Sequence, residues 1–268
     1  FLQNCDRRCP NFVFRYMKSK QPHIIIYRAL ILAMAIWGMS FVWSKKALAT
    51  YDPVNVVFFR LLISSLFLYP FLKLTKIFQK LHPGDIKKIA LLAFCEPFVY
   101  FLGETYGLSF VSPPVAAVIV STLPLFTPLA AAFFLKEKVT LLNIAGILMS
   151  VLGILLIVLN DEARIVVAGI GLALLFTAVI AGVIYSVLIK KITHRYRVLN
   201  LVFYQNIFGI LYMLPLFLYF DAADFVATGW EWEAMLPVIY LSIFASTLAY
   251  FFYAYALKHM DITKVNVF

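Results

Sequence analysis

This chain has little charge: Lys, Arg, Asp and Glu together make up 13% of its 268 residues, and only 13 positions are acidic. A soluble domain is roughly a quarter charged, so a soluble globular fold is excluded. Histidine and cysteine are scarce too. The four histidines, His23, His82, His194 and His259, are scattered, so no metal-ligand cluster exists and neither a metal nor another cofactor is expected. Cys5, Cys9 and Cys95 form neither a disulfide framework nor a zinc spacing, since Cys95 lies inside an apolar run. Gly107-Leu108-Ser109 superficially resembles a serine-nucleophile turn, but Ser109 has no histidine near it in the predicted bundle. No catalytic residue is assigned, and the chain is not read as an enzyme. No alternation of period two persists, which excludes a lipid-facing β-barrel.

What is present is hydrophobicity, 63% of all residues. A helix crosses a hydrocarbon core of roughly 30 Å with about 20 apolar residues. Runs of that length follow one another, bounded by Pro, Asp, Lys or Arg, and predict eight helical spans at about 24–46, 54–75, 88–109, 113–135, 140–160, 164–190, 198–220 and 234–258. The fold class is all-α, a polytopic membrane helical bundle in a lipid bilayer. The net charge of +10 sits in short clusters between the spans, so it is a topology signal and not a nucleic-acid surface. Lys73, Lys76, Lys80, Lys87 and Lys88 fall on the same side as Lys136, Lys138, Lys190, Lys191, Arg195 and Arg197. The opposite side has only Lys45, Lys46 and Arg164. The amino terminus is therefore cytoplasmic. Residues 1–23 are read as a disordered cytoplasmic segment, with Met17 a more natural start than Phe1, and the first span as an uncleaved helix. Asp221 to Glu233 is read as the longest outer loop, with Trp230 and Trp232 as headgroup-level anchors.

The sequence repeats itself. Val57-Phe58-Phe59-Arg60 ahead of Pro70 matches Val202-Phe203-Tyr204-Gln205 ahead of Pro215, and the same offset sets Lys45-Lys46 on Lys190-Lys191. A slightly larger offset sets Tyr106-Gly107-Leu108 on Tyr255-Ala256-Leu257. The unit is five helices long, and an odd number inverts the second copy, the arrangement of secondary transporters that work by alternating access. Residues 24–160 form the first repeat and 164–268 an incomplete second one. The parent is expected to have ten helices, of which eight complete ones and the start of the ninth are read here.

Several stretches resemble the EamA-like family of the drug/metabolite transporter superfamily. They are Trp37-Gly38-Met39-Ser40-Phe41, Phe58-Phe59-Arg60, Tyr106-Gly107-Leu108 before Pro113, Pro124-Leu125-Phe126, Leu135-Lys136-Glu137-Lys138, Asn143 with Gly146 and Gly153, and Tyr255-Ala256-Leu257. The resemblance implies two inverted five-helix halves around a substrate cavity in a bacterial inner membrane. It also implies ATP-independent movement of small metabolites, amino acids or drugs, read here as export. A proton is a candidate coupling ion, and the oligomeric state is left open. A non-transporting assembly or regulatory subunit is the alternative, an integral-membrane enzyme a weaker one.

Arg60, Glu96 and Glu104 are the ionisable side chains placed within the hydrocarbon, where such groups usually face a cavity or a partner. Arg60 and Glu104 lie at similar depths, about 9 Å below the outer ends of their spans, which predicts an intramembrane ion pair. Either the pair only fixes helix packing, or it meets a substrate carboxylate or a proton. Glu96 precedes Pro97, which bends its helix. Thr122 and Pro124 mark a proline-broken stretch near midplane. Trp37, Tyr100, Tyr185 and Tyr204 would add aromatic surface, and Gln205, Asn206, Ser246 and Thr247 polar contacts. Gly38, Gly103, Gly146 and Gly153 are expected at close helix approaches.

Overall fold

A computed structural model describes residues 23–135 and 165–260, together with 144, 145, 148, 149, 152 and 265. The described residues are helical, with no strand among them. Helix α1 spans His23–Ala47, and α2 spans Pro53–Leu74. Pro53 sits at the first position of α2, where its fixed φ suits helix entry and its missing N–H costs nothing. Helix α3 runs through Ile86–Ala93, a wide π-type stretch Phe94–Val99, and Tyr100–Phe110. Helix α4 consists of Pro113–Val120 and Leu123–Leu135, interrupted at Ser121 and Thr122. Helix α5 is Ile165–Ile192, and α6 continues from Val198–Leu216 through Phe217–Asp221 into Ala222–Thr228. Helix α7 comprises Trp232–Tyr240, a second wide stretch Leu241–Ala249, and Tyr250–His259.

Among the described residues, six helices are long and apolar enough to cross a membrane. Large apolar side chains such as Ile31, Leu66, Ile180, Leu211 and Leu218 point outward from them and stay exposed. Water would penalise that surface and lipid does not, so the chain is a multi-pass membrane protein. The predicted span 140–160, with Gly146 and Gly153, and the stretch after residue 260 lie mostly outside the described residues, as does the segment before residue 23.

One reading is corrected. The stretch read as a loop from Asp221 to Glu233 is largely helical, because Ala222–Thr228 extends α6 and Trp232 already begins α7. Its residues are mostly apolar and favour continuing the helix, which ends at Gly229, where φ is +72°. Trp230 and Trp232 are exposed beside the turn, their rings 5.8 Å apart at an edge-on angle.

Glycine permits a close helix contact between α3 and α5. A Cβ on Gly103 would lie 2.8 Å from the Leu174 carbonyl oxygen, and one on Gly107 2.7 Å from Leu175, so α3 meets α5 backbone to backbone. Gly38 departs from expectation, since a Cβ there would meet nothing within 4 Å.

Contacts at matching positions recur. Lys45 Nζ donates to the Leu108 and Val111 carbonyls at 2.7 and 3.2 Å, at the end of α3. Lys190 Nζ donates to those of Leu257, at 2.6 Å, and Met260, at the end of α7. Each ammonium satisfies terminal carbonyls that a helix leaves unpaired. The Tyr51 hydroxyl donates to the Gly229 carbonyl at 3.2 Å and accepts from the Glu231 N–H at 2.8 Å. The Tyr196 hydroxyl accepts from the His82 N–H and donates to Asp85, both at 3.1 Å.

Candidate functional site

The two wide stretches face the middle of the bundle and shape what lies there. A π-type turn leaves backbone groups outside the regular ladder. In α7 the Ala245 carbonyl accepts from Trp37 Nε1 at 3.3 Å, which holds the indole of α1 inward. Next to it, Ser246 Oγ accepts from Arg60 Nε at 2.5 Å. In α3 the turn is broken at Glu96, whose φ of −149° and ψ of 119° are extended, not helical. That bend aims the Glu96 carboxylate at Tyr250, whose hydroxyl donates to it.

Between these elements lies a cavity of about 320 Å³. That size is at the lower end of the range of small-molecule sites, and the lining is mostly apolar with a few convergent polar groups, as such sites require. Six residues expected from the sequence line it: Trp37, Arg60, Glu96, Tyr100, Glu104 and Tyr185. Arg60, Glu96 and Glu104 are almost fully buried, at 2%, 6% and 5% exposure.

The predicted ion pair exists but is long, with Arg60 Nη1 3.8 Å from Glu104 Oε2. Arg60 is held more closely by Ser246 and by the Phe101 ring, whose centroid lies 3.8 Å from the guanidinium carbon. The guanidinium is thus covered on one face and hydrogen-bonded at its edge.

The other expected residues fall elsewhere. Gln205 stands one layer behind the cavity, its side-chain amide bonded to the Tyr185 hydroxyl at 3.2 and 3.3 Å. Ser246 is likewise behind Arg60. Asn206 donates to Ser64 at 2.8 Å, and Ser64 bonds Thr247 at the same distance, a polar seam joining α2, α6 and α7 outside the lining. Thr122 turns back to the Ile119 carbonyl at 2.7 Å, satisfying backbone freed at the break in α4. The Tyr204 hydroxyl reaches the Gln79 carbonyl at 2.9 Å, at one end of the bundle and away from the cavity. Pro124 lies on α4, and its side chain is outside the described residues.

Phe101, Ser186, Tyr250 and Tyr253 are among the lining residues that were not foreseen. The repeat held the signal for Tyr253, since the offset that pairs Tyr106 with Tyr255 also pairs Glu104 with Tyr253. Ser186 and Tyr253 hydrogen-bond at 2.8 Å. Trp37 lies 5.3 Å from both Tyr250 and Tyr253, ring centroid to centroid, so the wall is a continuous aromatic surface. Among the described residues no group of His, Cys, Asp and Glu has the arrangement of a metal site.

A polytopic helical bundle that buries ionisable side chains around a central apolar cavity has the build of a membrane transporter. The comparisons agree and place it more narrowly: the profile of the EamA-like transporter family matches residues 24–159 and again 169–268, and the chain belongs to that family. It is 24% identical to an uncharacterised transporter of Archaeoglobus fulgidus, over 89% of this chain and 83% of the relative. It is 26% identical to the uncharacterised transporter YcxC of Bacillus subtilis, over 90% and 80% of the two chains. To the protein PagO of Salmonella typhimurium it is 26% identical, over 89% and 76%. A solved crystal structure superposes with a TM-score of 0.67 over 92% of this chain and 84% of the other, at 15% identity, which is a likeness of fold.

Proposed function

We propose that the protein is a secondary transporter that exports small metabolites, amino acids or drugs through the central cavity, by alternating access between two inverted five-helix repeats. The observation that carries this reading is the cavity itself, which gathers Arg60, Glu96 and Glu104 at its wall with aromatic residues from α1, α3, α5 and α7. Ionisable groups at that depth are costly and persist where they serve a pathway. The repeated contacts of Lys45 and Lys190, and of Tyr51 and Tyr196, support the inverted repeat, as does the double match of the family profile.

The placement of Lys and Arg supports a cytoplasmic amino terminus, here in a bacterial inner membrane. Transport is driven by a proton gradient or by the substrate gradient alone. The test is reconstitution of the intact protein in liposomes with radiolabelled metabolites and no ATP. Saturable flux of a tracer is the expected outcome. Non-saturating conductance would instead identify a channel, and absence of flux with retained folding would favour an assembly or regulatory subunit.

A further inference from the structure

The charge balance of the cavity points to the kind of compound it takes, an inference that rests on the transport reading above. Two carboxylates, Glu96 and Glu104, and one guanidinium, Arg60, line the cavity among the described residues. Arg60 is already committed, with Glu104 as its ion-pair partner, Ser246 at Nε and Phe101 over its face. Glu96 is in the opposite position. Its described polar partner is the neutral Tyr250 hydroxyl, and among the described residues no Lys or Arg lies within ion-pair distance of it. A buried carboxylate without a cation is poorly compensated.

The surroundings favour the same sign. Trp37, Tyr250 and Tyr253 form a joined cluster, and Phe101 and Tyr185 extend it, with centroids 6.1 and 6.2 Å from Tyr250. Aromatic faces attract cations, most strongly where water is excluded. A carboxylate ligand would meet Glu96 and find Arg60 engaged.

We propose that the cavity binds an organic monocation, an ammonium group on an aromatic or branched apolar body, with the ammonium between the Glu96 carboxylate and the rings of Trp37 and Tyr250. Glu96 supplies the counter-charge, and the Arg60–Glu104 pair keeps a second anion out.

The test uses the intact protein in lipid nanodiscs and four compounds that share one phenyl body: phenethylamine, 2-phenylethanol, 3-phenylpropionate and phenylalanine. Thermal stabilisation is titrated with each, because a ligand that binds the folded protein stabilises it by mass action. Phenethylamine is expected to half-saturate at a concentration about tenfold or more below the other three, the scale of a desolvated ammonium contact. Glu96→Gln is expected to bring phenethylamine and 2-phenylethanol to within about twofold of one another. If that variant does not purify as a monodisperse protein, Glu96→Asp, which keeps the charge but withdraws it by one methylene, is expected to weaken phenethylamine and leave the alcohol unchanged.

Undetectable phenethylamine binding, equal binding of amine and alcohol, tighter binding of 3-phenylpropionate or phenylalanine, or an amine preference that survives Glu96→Gln would each overturn the proposal. Binding and flux separate the two readings. Selective binding of the amine with no flux of any tracer would sustain this site and overturn the transporter. Flux of other solutes with no amine preference would do the reverse.

Discussion

Arg60 illustrates how one side chain can belong to several elements at once. It sits on α2, donates to Ser246 of α7, lies under Phe101 of α3 and faces Glu104 on the same helix. Removing it strands a carboxylate. Breaking one partner of a buried pair costs about 3–5 kcal/mol, and the 3.8 Å separation together with an adjoining cavity places this pair at or below the bottom of that range. Arg60→Met is therefore expected to destabilise the protein by about 2–3 kcal/mol, measured by reversible unfolding in mixed micelles. Adding Glu104→Gln should restore part of the loss, with a coupling of about 1–2 kcal/mol; strict additivity of the two changes would sink the pairing. In flux assays Glu104→Gln tests proton coupling separately, because unchanged transport with unchanged pH dependence would remove Glu104 from that role. The three ionisable residues were legible in the sequence because an ionisable group inside an apolar run is conspicuous. Tyr253 could be found only through the repeat, and Tyr250 not at all, since a tyrosine among many aromatics carries no such contrast, and which face of α7 points inward depends on a wide turn with no distinct composition.

Helices were legible where composition changes sharply. The first two spans, read as 24–46 and 54–75, appear as His23–Ala47 and Pro53–Leu74, and the fourth keeps its ends while gaining an interruption at Ser121 and Thr122. The third begins at Ile86, after the turn formed by Pro83–Asp85, so the basic pair Lys87 and Lys88 lies inside the helix. The bend in α3 was legible from Pro97, which follows Glu96, whereas the wide turn of α7 was not, because nothing in the composition of Leu241–Ala249 marks it. Glycines show the same division between local and tertiary information. Gly38 and Gly103 look alike in sequence, yet only Gly103 presses against another helix. Gly103→Ala must push α3 from the Leu174 carbonyl and should cost about 1–3 kcal/mol. Gly38→Ala meets open space and gains helix propensity, so it should be neutral or stabilising by up to about 1 kcal/mol. The pair is checked by comparing thermal midpoints of the two variants, and equal losses would contradict the packing assigned to α3 and α5. At the ends of these helices, Lys45→Met removes a charge-assisted contact with the α3 carbonyls and is expected to cost about 1–2 kcal/mol, read on the same scale.

For the whole molecule, the repeat visible in the sequence becomes an exchange of contacts between the two proposed copies, but the two ends are not built alike. At one end Tyr51 holds the turn between α6 and α7 through backbone groups of Gly229 and Glu231. At the other, Tyr196 is joined by charges: Asp85 accepts from Arg195 Nη1 at 2.7 and 2.8 Å, from Tyr196 at 3.1 Å and from Lys88 at 3.2 Å. Asp85 thereby ties the connection between α2 and α3 to the one between α5 and α6. Desolvation pushes its carboxyl up, but hydrogen bonds from Lys88 and Tyr196 and the positive charges of Arg195 and Lys88 outweigh it and hold the group below its ordinary value of 3.8. A depressed carboxyl stabilises the folded form above its ordinary value, and that contribution is lost only as the pH falls through the lower folded value. The tie is therefore constant between pH 8 and 5, so any change in transport over that interval must come from other groups. Asp85→Asn weakens the tie throughout that interval. The buried Cys95 on α3 reports the result, with Cys5 and Cys9 replaced by serine. Maleimide labelling of Cys95 should quicken roughly two- to fivefold in Asp85→Asn, the reach of a largely solvated charge network. Arg195→Ala should do the same, and the double variant no more than either, because both cut one connection. Labelling that stayed slow in both single variants, or that rose in the intact protein between pH 8 and 5, would mean that Asp85 does not hold this end of the bundle closed.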